Sequence, residues 1–191
     1  MGLADRLRQI LKPPPAWTRR PEVLLLPGIP APLHGMPPRV LLGQEWWDKE
    51  RHAAYASTDF HCIACGVKKY EAKRHQHLEG HELYDLDYAR GRMAYVETVP
   101  LCHYCHSFIH RGRLSCLLEQ GRVTEEEVQG IIKHAERVIK EAGFTWPPKV
   151  YDGPIAEWKR WQLVIYGRSY PTRFKNQEAW EEWSVGFDSE E

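Results

Sequence analysis

The chain has 191 residues, 42% of them hydrophobic, which is enough to bury one hydrophobic core. Its apolar runs are too short to cross a bilayer, which excludes an integral membrane protein, and we expect no membrane partner. The 26 basic residues balance the 26 acidic residues. This excludes the strong positive charge of a non-specific nucleic-acid binder, so any nucleic-acid contact is expected to be local.

Residues 1–42 are predicted to form a basic, proline-rich extended arm. Residues 3–11 have the spacing of a short amphipathic helix, which the prolines at positions 13–15 end. Aliphatic residues within the proline-rich stretch favour an arm that wraps on the core over a flexible linker. No long apolar segment follows the basic N-terminus, and the five cysteines are an odd number. We therefore expect a reduced, cytoplasmic protein.

Residues 43–145 are predicted to be a zinc-binding domain with flanking helices. Residues 43–56 contain helix formers and lead into the first of two cysteine pairs. Each pair has two intervening residues, and 36 residues separate the pairs. The paired cysteines are Cys62 and Cys65, then Cys102 and Cys105. This spacing predicts one tetrahedral structural Zn²⁺; four ordinary buried cysteines or two disulfides are the alternatives.

The segment between the cysteine pairs predicts a β-hairpin that leads into a helix. Residues 73–84 alternate in the manner of a strand, and residues 93–99 form a second strand. One face of the first strand then carries His75, His77, Glu79 and His81. A short helix begins at the second cysteine pair, and its histidines at positions 103, 106 and 110 share the side that faces the hairpin. The predicted order is a β-β-α unit.

The remaining sequence predicts a scaffold helix and a small C-terminal subdomain. Thr124 begins this helix with a capping box, and Gly143 ends it. Cys116, in an apolar stretch before the helix, is expected to be a small core residue. Residues 146–191 are predicted to contain a hairpin that turns at positions 167–168 and a short acidic helix, with tryptophans forming a small aromatic core.

Histidines are concentrated where the hairpin and the short helix are predicted to meet. Seven of the ten lie between residues 61 and 110. His106 and His110 are four residues apart and present two nitrogens on one helical face, the geometry of helical metal sites, while His81 faces them from the strand. Hydrolysis of a phosphodiester needs a divalent cation to bear developing charge and a base to accept a proton from water. Histidines that only complete hydrogen bonds around the zinc site are the alternative.

Together these motifs resemble the HNH endonuclease family, in its zinc-knuckle form with a ββα-metal fold. The matching segments, within residues 60–113, are Cys62-x2-Cys65, Leu78-Glu-Gly-His81-Glu82 and Val99-Pro-Leu-Cys102-His-Tyr-Cys105-His106-x3-His110. The resemblance implies a metal-dependent DNA endonuclease in which His106 and His110 bind Mg²⁺, Mn²⁺ or a similar ion and His81 is the key strand residue. It also implies a zinc-stapled ββα-metal core. With the added helices and the small C-terminal hairpin-helix subdomain predicted from the residues, the expected fold class is α+β.

Two positions depart from the family pattern. The family commonly has His-His or Asp-His on the strand, whereas Gly80 and Glu82 flank His81 here. If His81 is the base, a strand ligand is missing; if His81 binds the ion, Glu82 occupies the position of the base. Glu97 stands where the family has an asparagine that orients the base.

Eight basic residues within residues 61–113 are candidates for gripping DNA phosphates, with solvated surface as the alternative. They are Lys68, Lys69, Lys73, Arg74, Arg90, Arg92, Arg111 and Arg113. The leading hypothesis is a nuclease that hydrolyses DNA phosphodiester bonds with one divalent ion beside a structural zinc. The other hypothesis is a catalytically degenerate module of the same fold that binds nucleic acid or a protein partner. The arm and the acidic C-terminal segment are the candidate surfaces for a protein partner.

Overall fold

The computed structural model describes residues 17–187, which adopt a mixed α+β fold. Within this range the α-helices are α1 Pro38–Leu42, α2 Gln44–Ser57, α3 His103–Ile109, α4 Arg111–Glu119, α5 Glu125–Glu141 and α6 Gln177–Phe187. The strands are β1 Leu78–Asp87, β2 Arg92–Cys102, β3 Gln162–Ile165 and β4 Arg168–Pro171. The helix predicted over residues 3–11 lies outside the described residues. Among those described, no helix is long and apolar enough to cross a membrane.

One sheet, in the order β1-β2-β3-β4, is built on a long hairpin. β1 and β2 pair antiparallel, with His81 opposite Val99 and a register shift between Leu83 and Tyr84. β2 continues beyond its predicted end to Cys102. The hairpin therefore ends on a cysteine of the second pair, and the Ile63 N–H, which donates to Pro100 O, places the turn of the first pair beside this end of the sheet.

The segment before β1 differs from the prediction. The strand predicted from residue 73 begins only at Leu78. Arg74 has a left-handed φ of 68°, which interrupts an extended chain. His75 and His77 are exposed and stack on each other, with ring centroids 4.9 Å apart. The prediction that His75 and His77 lie on the first strand, on the same face as Glu79 and His81, is therefore wrong.

Helix α3 follows β2 without a loop. Cys102 is both the last residue of β2 and the N-cap of α3, so the strand sets the direction of the helix. Cys105 and Phe108 form its buried side, and the helix contacts β1, β2 and α5. The larger of two hydrophobic clusters lies among these elements. The observed order is therefore two antiparallel strands followed directly by a helix, as predicted.

The arm and α2 cover the hairpin from outside. Val23 and Leu24 are buried in the main hydrophobic cluster, as expected for an arm that wraps on the core. The described part of the arm is not extended throughout, however, because Pro21–Leu25 and Ala31–Leu33 form 3-10 helices and Pro38–Leu42 forms α1. Helix α2 confirms the helix predicted over residues 43–56. Its Trp47 is buried and lies against the backbone of β1. The two faces of β1 are thus covered by different helices, α2 on one side and α3 on the other.

Helix α5 begins and ends where the sequence predicts. The Glu127 N–H donates to Thr124 Oγ1 at 3.2 Å, and the Thr124 N–H donates to Glu127 Oε2 at 2.9 Å. Gly143 follows the helix with a left-handed φ of 80°, which glycine adopts without strain. The buried stripe consists of Ile131, Ala135, Val138 and Ile139. The capping box and the glycine stop are both confirmed.

The C-terminal hairpin extends the same sheet. β3 lies parallel to β2, with Met93 opposite Leu163, and β4 completes the sheet at its other edge. The turn consists of residues 166–167, one position before the predicted turn, because Arg168 already pairs in β4. Trp161 is buried in a second apolar cluster with Met93 and Leu163. This tryptophan therefore belongs to a core, as predicted, and that core is shared with the main hairpin.

Candidate metal centres

Four cysteine sulfurs converge where the hairpin meets α3. The Sγ atoms of Cys62, Cys65, Cys102 and Cys105 all lie within 4.8 Å of one another. The Cys65 and Cys102 sulfurs are 3.7 Å apart; two thiolates on a tetrahedral Zn²⁺ are about 3.8 Å apart for a Zn–S bond of about 2.3 Å. The cluster therefore fits a metal ion such as zinc. The fifth cysteine, Cys116, lies partly exposed on α4 rather than in the core, so its predicted burial is wrong.

Backbone hydrogen bonds hold the first cysteine pair in a tight turn. The Gly66 N–H donates to Cys62 O, and the Cys62 N–H donates to Val67 O, each at 2.9 Å. Gly66 has a left-handed φ of 80°, which suits glycine. The Ile63 N–H donates to Pro100 O at 2.9 Å. The two cysteine pairs are therefore aligned by the backbone as well as by any ion they share.

His134 on α5 adds a polar group beside the cysteines. Its Nε2 lies 3.5 Å from Cys105 Sγ, within reach for a ring N–H to donate to a thiolate and to orient it. Hydrogen bonds from Cys102 and Cys105 lower the pKa of Cys65, whereas hydrogen bonds with Cys102, Cys62 and Cys65 raise the pKa of Cys105; a bound metal requires all four as thiolates. The sequence analysis missed His134, because 29 residues separate it from Cys105 and no motif links them.

Three histidine side chains form a second cluster. His81 comes from β1, His106 comes from α3, and His110 is the C-cap residue between α3 and α4. Their ligand nitrogens all lie within 4.8 Å of one another. His110 Nε2 is 3.2 Å from His81 Nδ1; nitrogens bound at about 2.1 Å are about 3.0 Å apart at a right angle and about 3.4 Å apart at a tetrahedral angle. The cluster therefore fits one ion held by three imidazoles.

Burial keeps two of these imidazoles neutral. Burial, reinforced by the neighbouring His106 and His110, lowers the pKa of His81 to about 2. Burial, together with His106 and Arg113, lowers the pKa of His110 to about 4. Neutral imidazole has a free nitrogen lone pair, as a metal ligand requires.

Glu79 joins the histidines of α3 to the strand. Its two carboxylate oxygens accept hydrogen bonds from His103 Nδ1 at 2.9 Å and from His106 Nδ1 at 2.5 Å. Burial alone would raise the pKa of Glu79, but the hydrogen bonds from the two histidines hold it well below its usual range. A carboxylate that accepts from one ring nitrogen leaves the other nitrogen of His106 free for a metal. The predicted alternation placed Glu79 on the face of His81, yet spacing alone did not identify it as a site residue.

Gly80 faces the opposite side of β1. A Cβ atom at this position would lie 2.9 Å from Trp47 Cη2 and 3.1 Å from Arg51 Cβ, so α2 packs directly on the strand backbone. Successive strand residues point to opposite faces. The residue before His81 therefore points away from the histidine cluster, and Glu79 supplies the carboxylate on the cluster side.

Glu82 lines the same cleft as His81 and His110. Residues 26–29 of the arm form one wall of this cleft. The apolar side chains that line the rest include Leu86, Met93 and Ile109. Burial raises the pKa of Glu82 above its usual range. Glu82 is thus the carboxylate among the residues that line this cleft, although it alternates with His81 along β1 and lies on the strand face of Gly80.

Glu97, at the position where the HNH family has an asparagine, forms an ion pair with the arm. Its Oε1 accepts a hydrogen bond from the Arg20 guanidinium at 2.6 Å. This ion pair joins the arm to β2, and both side chains are partly exposed. The side chain at this position therefore contributes to fastening the arm.

Three of the eight basic candidates pair with acidic residues. The pairs are Arg74 with Glu127, Arg90 with Asp87 and Arg92 with Asp85. The last two pairs lie towards the turn end of the hairpin, where Asp85 and Asp87 are about 13 Å and about 20 Å along β1 from His81 at about 3.3 Å per residue. The structure therefore does not bring Arg90 and Arg92 to the histidine cluster.

The other five basic candidates lie at two places in the chain. Arg111 and Arg113 directly follow His110 and are exposed. The remaining three, which precede β1, are Lys68, Lys69 and Lys73. Arg111 and Arg113 are therefore the basic candidates that adjoin the histidine cluster in sequence, at the end of α3.

Comparison with protein-family models, with curated proteins and with solved structures finds no match for this chain. Any functional argument therefore depends on the geometry of the two clusters. Within residues 17–187, these are the two groups of at least three histidine, cysteine or acidic side chains whose ligand atoms lie close enough to share an ion.

Proposed function

We propose that the protein is a metal-dependent endonuclease of the HNH type that hydrolyses DNA phosphodiester bonds. The observation that carries the proposal is the convergence of three histidines within 4.8 Å of one another: His81 on β1, His106 in α3 and His110 at the C-terminal cap of α3. The order β1-β2-α3 supports it, because this is the order of elements in the ββα-metal fold that the motifs resemble. In this proposal the four cysteines hold a structural zinc that fixes α3 against the hairpin.

The three histidines would hold one divalent ion. Bound there, the ion would bear negative charge that develops on the phosphate and on the leaving oxygen. An all-imidazole ligand set suits Mn²⁺, Co²⁺ or Ni²⁺ better than Mg²⁺, which prefers oxygen ligands. Glu79 would fix the ring of His106 through the hydrogen bond at Nδ1. We therefore expect cleavage to be strongest with Mn²⁺, Co²⁺ or Ni²⁺.

Glu82 would accept the proton from the attacking water. With His81 assigned to the ion, Glu82 is the cleft residue on the strand with a group able to act as a base, and it lines the cleft together with His81 and His110. Arg111 and Arg113, just beyond the cluster, would contact phosphates of the bound strand. The arm residues that wall the cleft would limit the access of water.

The experiment is nicking of supercoiled plasmid by purified, zinc-loaded protein with added Mg²⁺, Mn²⁺ or Ni²⁺ and with no added ion. The variant His81→Ala/His110→Ala is compared with His34→Ala/His75→Ala, which changes two histidines that belong to neither the cluster nor the cleft beside it. Ion-dependent nicking that is lost in the first variant and kept in the second, with zinc content and circular dichroism unchanged, supports the nuclease. If the folded, zinc-loaded parent does not nick DNA with any of the three ions, the nuclease is excluded and a binding module of the same fold becomes the better account.

A further inference from the structure

A groove beside the start of β1 combines positive charge with aromatic surface. It lies between α2, the turn after α2 and the segment that precedes β1, and we call it the Phe60 groove. Its lining includes Arg51, His52, Tyr55, Phe60, Lys69 and His77. No carboxylate is among its lining residues. The groove therefore has the composition of a site for an anion with a flat apolar part.

The backbone holds Phe60 in a conformation that phenylalanine rarely adopts. Helix α2 ends in a Schellman motif, in which the Asp59 N–H donates to Ala56 O at 3.2 Å. In the same motif the Phe60 N–H donates to Tyr55 O at 2.9 Å. The motif explains the left-handed φ of Asp59, 49°, but it does not require the left-handed φ of Phe60, 57°. The Lys69 N–H, which donates to Phe60 O at 2.9 Å, holds the chain there.

This conformation places an aromatic ring at the surface. A bulky residue at positive φ is strained and persists only where its surroundings fix it, and such positions cluster at functional sites. The Phe60 side chain is 43% exposed, so burial of the ring does not account for the strain. The strained, exposed ring therefore marks Phe60 as a candidate functional position.

Lys69 brings a positive charge to this ring. Its Nζ lies 5.9 Å from the centre of the Phe60 ring and 5.8 Å from the centre of the Tyr70 ring. Tyr70 is itself 67% exposed. A cation beside exposed aromatic faces is the combination that proteins use to bind unpaired nucleotides, since the rings stack on bases and the cation contacts phosphate.

Resting on the proposed nuclease function, we propose that the Phe60 groove binds an unpaired nucleotide of the substrate DNA. The base stacks on Phe60, and Lys69 contacts the adjacent phosphate. Arg51 also lines the groove, but it pairs with Asp48 at 2.7 Å, which leaves Lys69 as the main phosphate contact. The groove therefore selects single-stranded DNA, because the base faces of a duplex are already stacked on each other.

The groove and the histidine cluster are reached from the same strand. Leu78 lines the groove, and His81, three residues later, lines the cleft. Three residues of a strand span about 10 Å, a distance that a few nucleotides of an unpaired strand cover. β1 is also an edge strand of the sheet. Leu78 and His81 lie on opposite faces of β1, so a DNA strand held in the groove would pass around this open edge to bring a phosphodiester to the cluster.

The test measures binding separately from cleavage. Zinc-loaded full-length protein carrying His110→Ala, with no further divalent ion, is titrated against a fluorescent single-stranded oligonucleotide and against a duplex of the same sequence. Fluorescence anisotropy gives Kd for each. The variants Phe60→Leu, Phe60→Trp and Lys69→Ala are added to this background. Phe144→Leu is the matched control, because Phe144 occupies the same position after α5, donates its N–H to Ile139 O and is 42% exposed.

We expect Phe60→Leu to weaken single-strand binding by about five- to 100-fold and to leave duplex binding unchanged. Phe60→Trp should restore single-strand binding, and Phe144→Leu should leave it unchanged. Lys69→Ala should reduce the slope of log K against log salt by about 0.7, the value for one phosphate contact on a single strand.

Three results would overturn the proposal: no loss in Phe60→Leu, an equal loss in Phe144→Leu, or no binding of single-stranded DNA by the parent. Zinc content and circular dichroism check the folding of each variant, and if Phe60→Leu does not fold, Phe60→Trp and Lys69→Ala decide. If the protein binds unpaired DNA through Phe60 but does not nick plasmid, the proposed nuclease function is excluded and the proposed role of the groove stands. If it nicks plasmid but binds single strands independently of Phe60, the nuclease function stands and the role of the groove is excluded.

Discussion

Glu79 determines how two imidazoles of α3 are oriented. It is partly buried and accepts one hydrogen bond from His103 and one from His106. A carboxylate bonded to the ring of a metal ligand fixes the tautomer and the direction of the free nitrogen. Any influence of Glu79 on an ion bound at the cluster is therefore exerted through the position of His106.

Glu79→Gln is expected to lower the affinity of the cluster for Mn²⁺ by about 10- to 100-fold, because the amide is a weaker acceptor and orients the His106 ring less well. Calorimetric titration of Mn²⁺ into zinc-loaded protein measures this without any reference to cleavage. Glu50→Gln on α2, whose carboxylate accepts from Tyr95 at 3.2 Å, is the control and should bind Mn²⁺ as the parent does. Equal affinity of the two variants would remove Glu79 from the site.

Gly80 allows α2 to lie directly on β1. A Cβ atom at Gly80 would lie 2.9 Å from Trp47 and 3.1 Å from Arg51 Cβ, so we expect Gly80→Ala to destabilise the protein by about 1–3 kcal/mol. Gly112→Ala in α4, where an added Cβ meets nothing within 4 Å, should be neutral or stabilising by up to about 1 kcal/mol. Urea denaturation at saturating zinc measures both. A Gly80→Ala protein as stable as the parent would show that α2 shifts to admit the methyl group.

At the scale of elements, α5 braces the back of α3, and its first turn depends on one side chain. Thr124 Oγ1 accepts from the Glu127 N–H, which satisfies an N–H that has no partner inside the helix. Thr124→Ala is therefore expected to lower the free energy of unfolding by about 0.5–2 kcal/mol. Thr145→Ala, at an exposed position after the same helix, should change it little. Equal urea midpoints for the two variants would contradict the role of the cap.

Elements with local signals could be predicted from the sequence. The capping box at Thr124 and the helix formers of residues 43–56 act within a few residues, and both helices formed as expected. The strand prediction was wrong for residues 73–77, because alternation of residue types does not determine backbone conformation and Arg74 has a left-handed φ there. The parallel pairing of Met93 with Leu163 had no local signal, since it joins strands that lie far apart in the chain.

The two clusters could be predicted for the same reason. The spacing of the cysteine pairs, and of the two histidines four residues apart, predicts how their side chains are arranged, because a zinc knuckle and a helical turn are local structures. Glu79 and His134 could not be assigned in this way. Their roles depend on distances to His106 and Cys105, which only the packing of β1 and α5 against α3 determines.

At the scale of the whole molecule, the cysteine cluster joins the knuckle turn, the end of β2 and the start of α3. The arm is tied to the same place, because the Arg20 N–H donates to Ile63 O at 2.8 Å. Structural zinc contributes about 10–16 kcal/mol in small domains, which is as large as the whole stability of a typical domain, about 5–15 kcal/mol. Folding of the hairpin and α3 is therefore expected to depend on the ion.

Cys102→Ser is expected to abolish zinc binding and to unfold the hairpin and α3, because residue 102 ends β2, caps α3 and supplies one of four sulfurs. His81 lies on β1, which pairs with β2, and His106 lies in α3. If the hairpin and α3 unfold, the histidine cluster should be lost as well. Cys116→Ser, outside the cluster on α4, is the matched control and should keep both zinc and Tm. Native mass spectrometry gives the zinc content, and far-UV circular dichroism follows the fold. A Cys102→Ser protein that keeps its fold and its Mn²⁺ site without zinc would show that the apolar core alone positions the histidines.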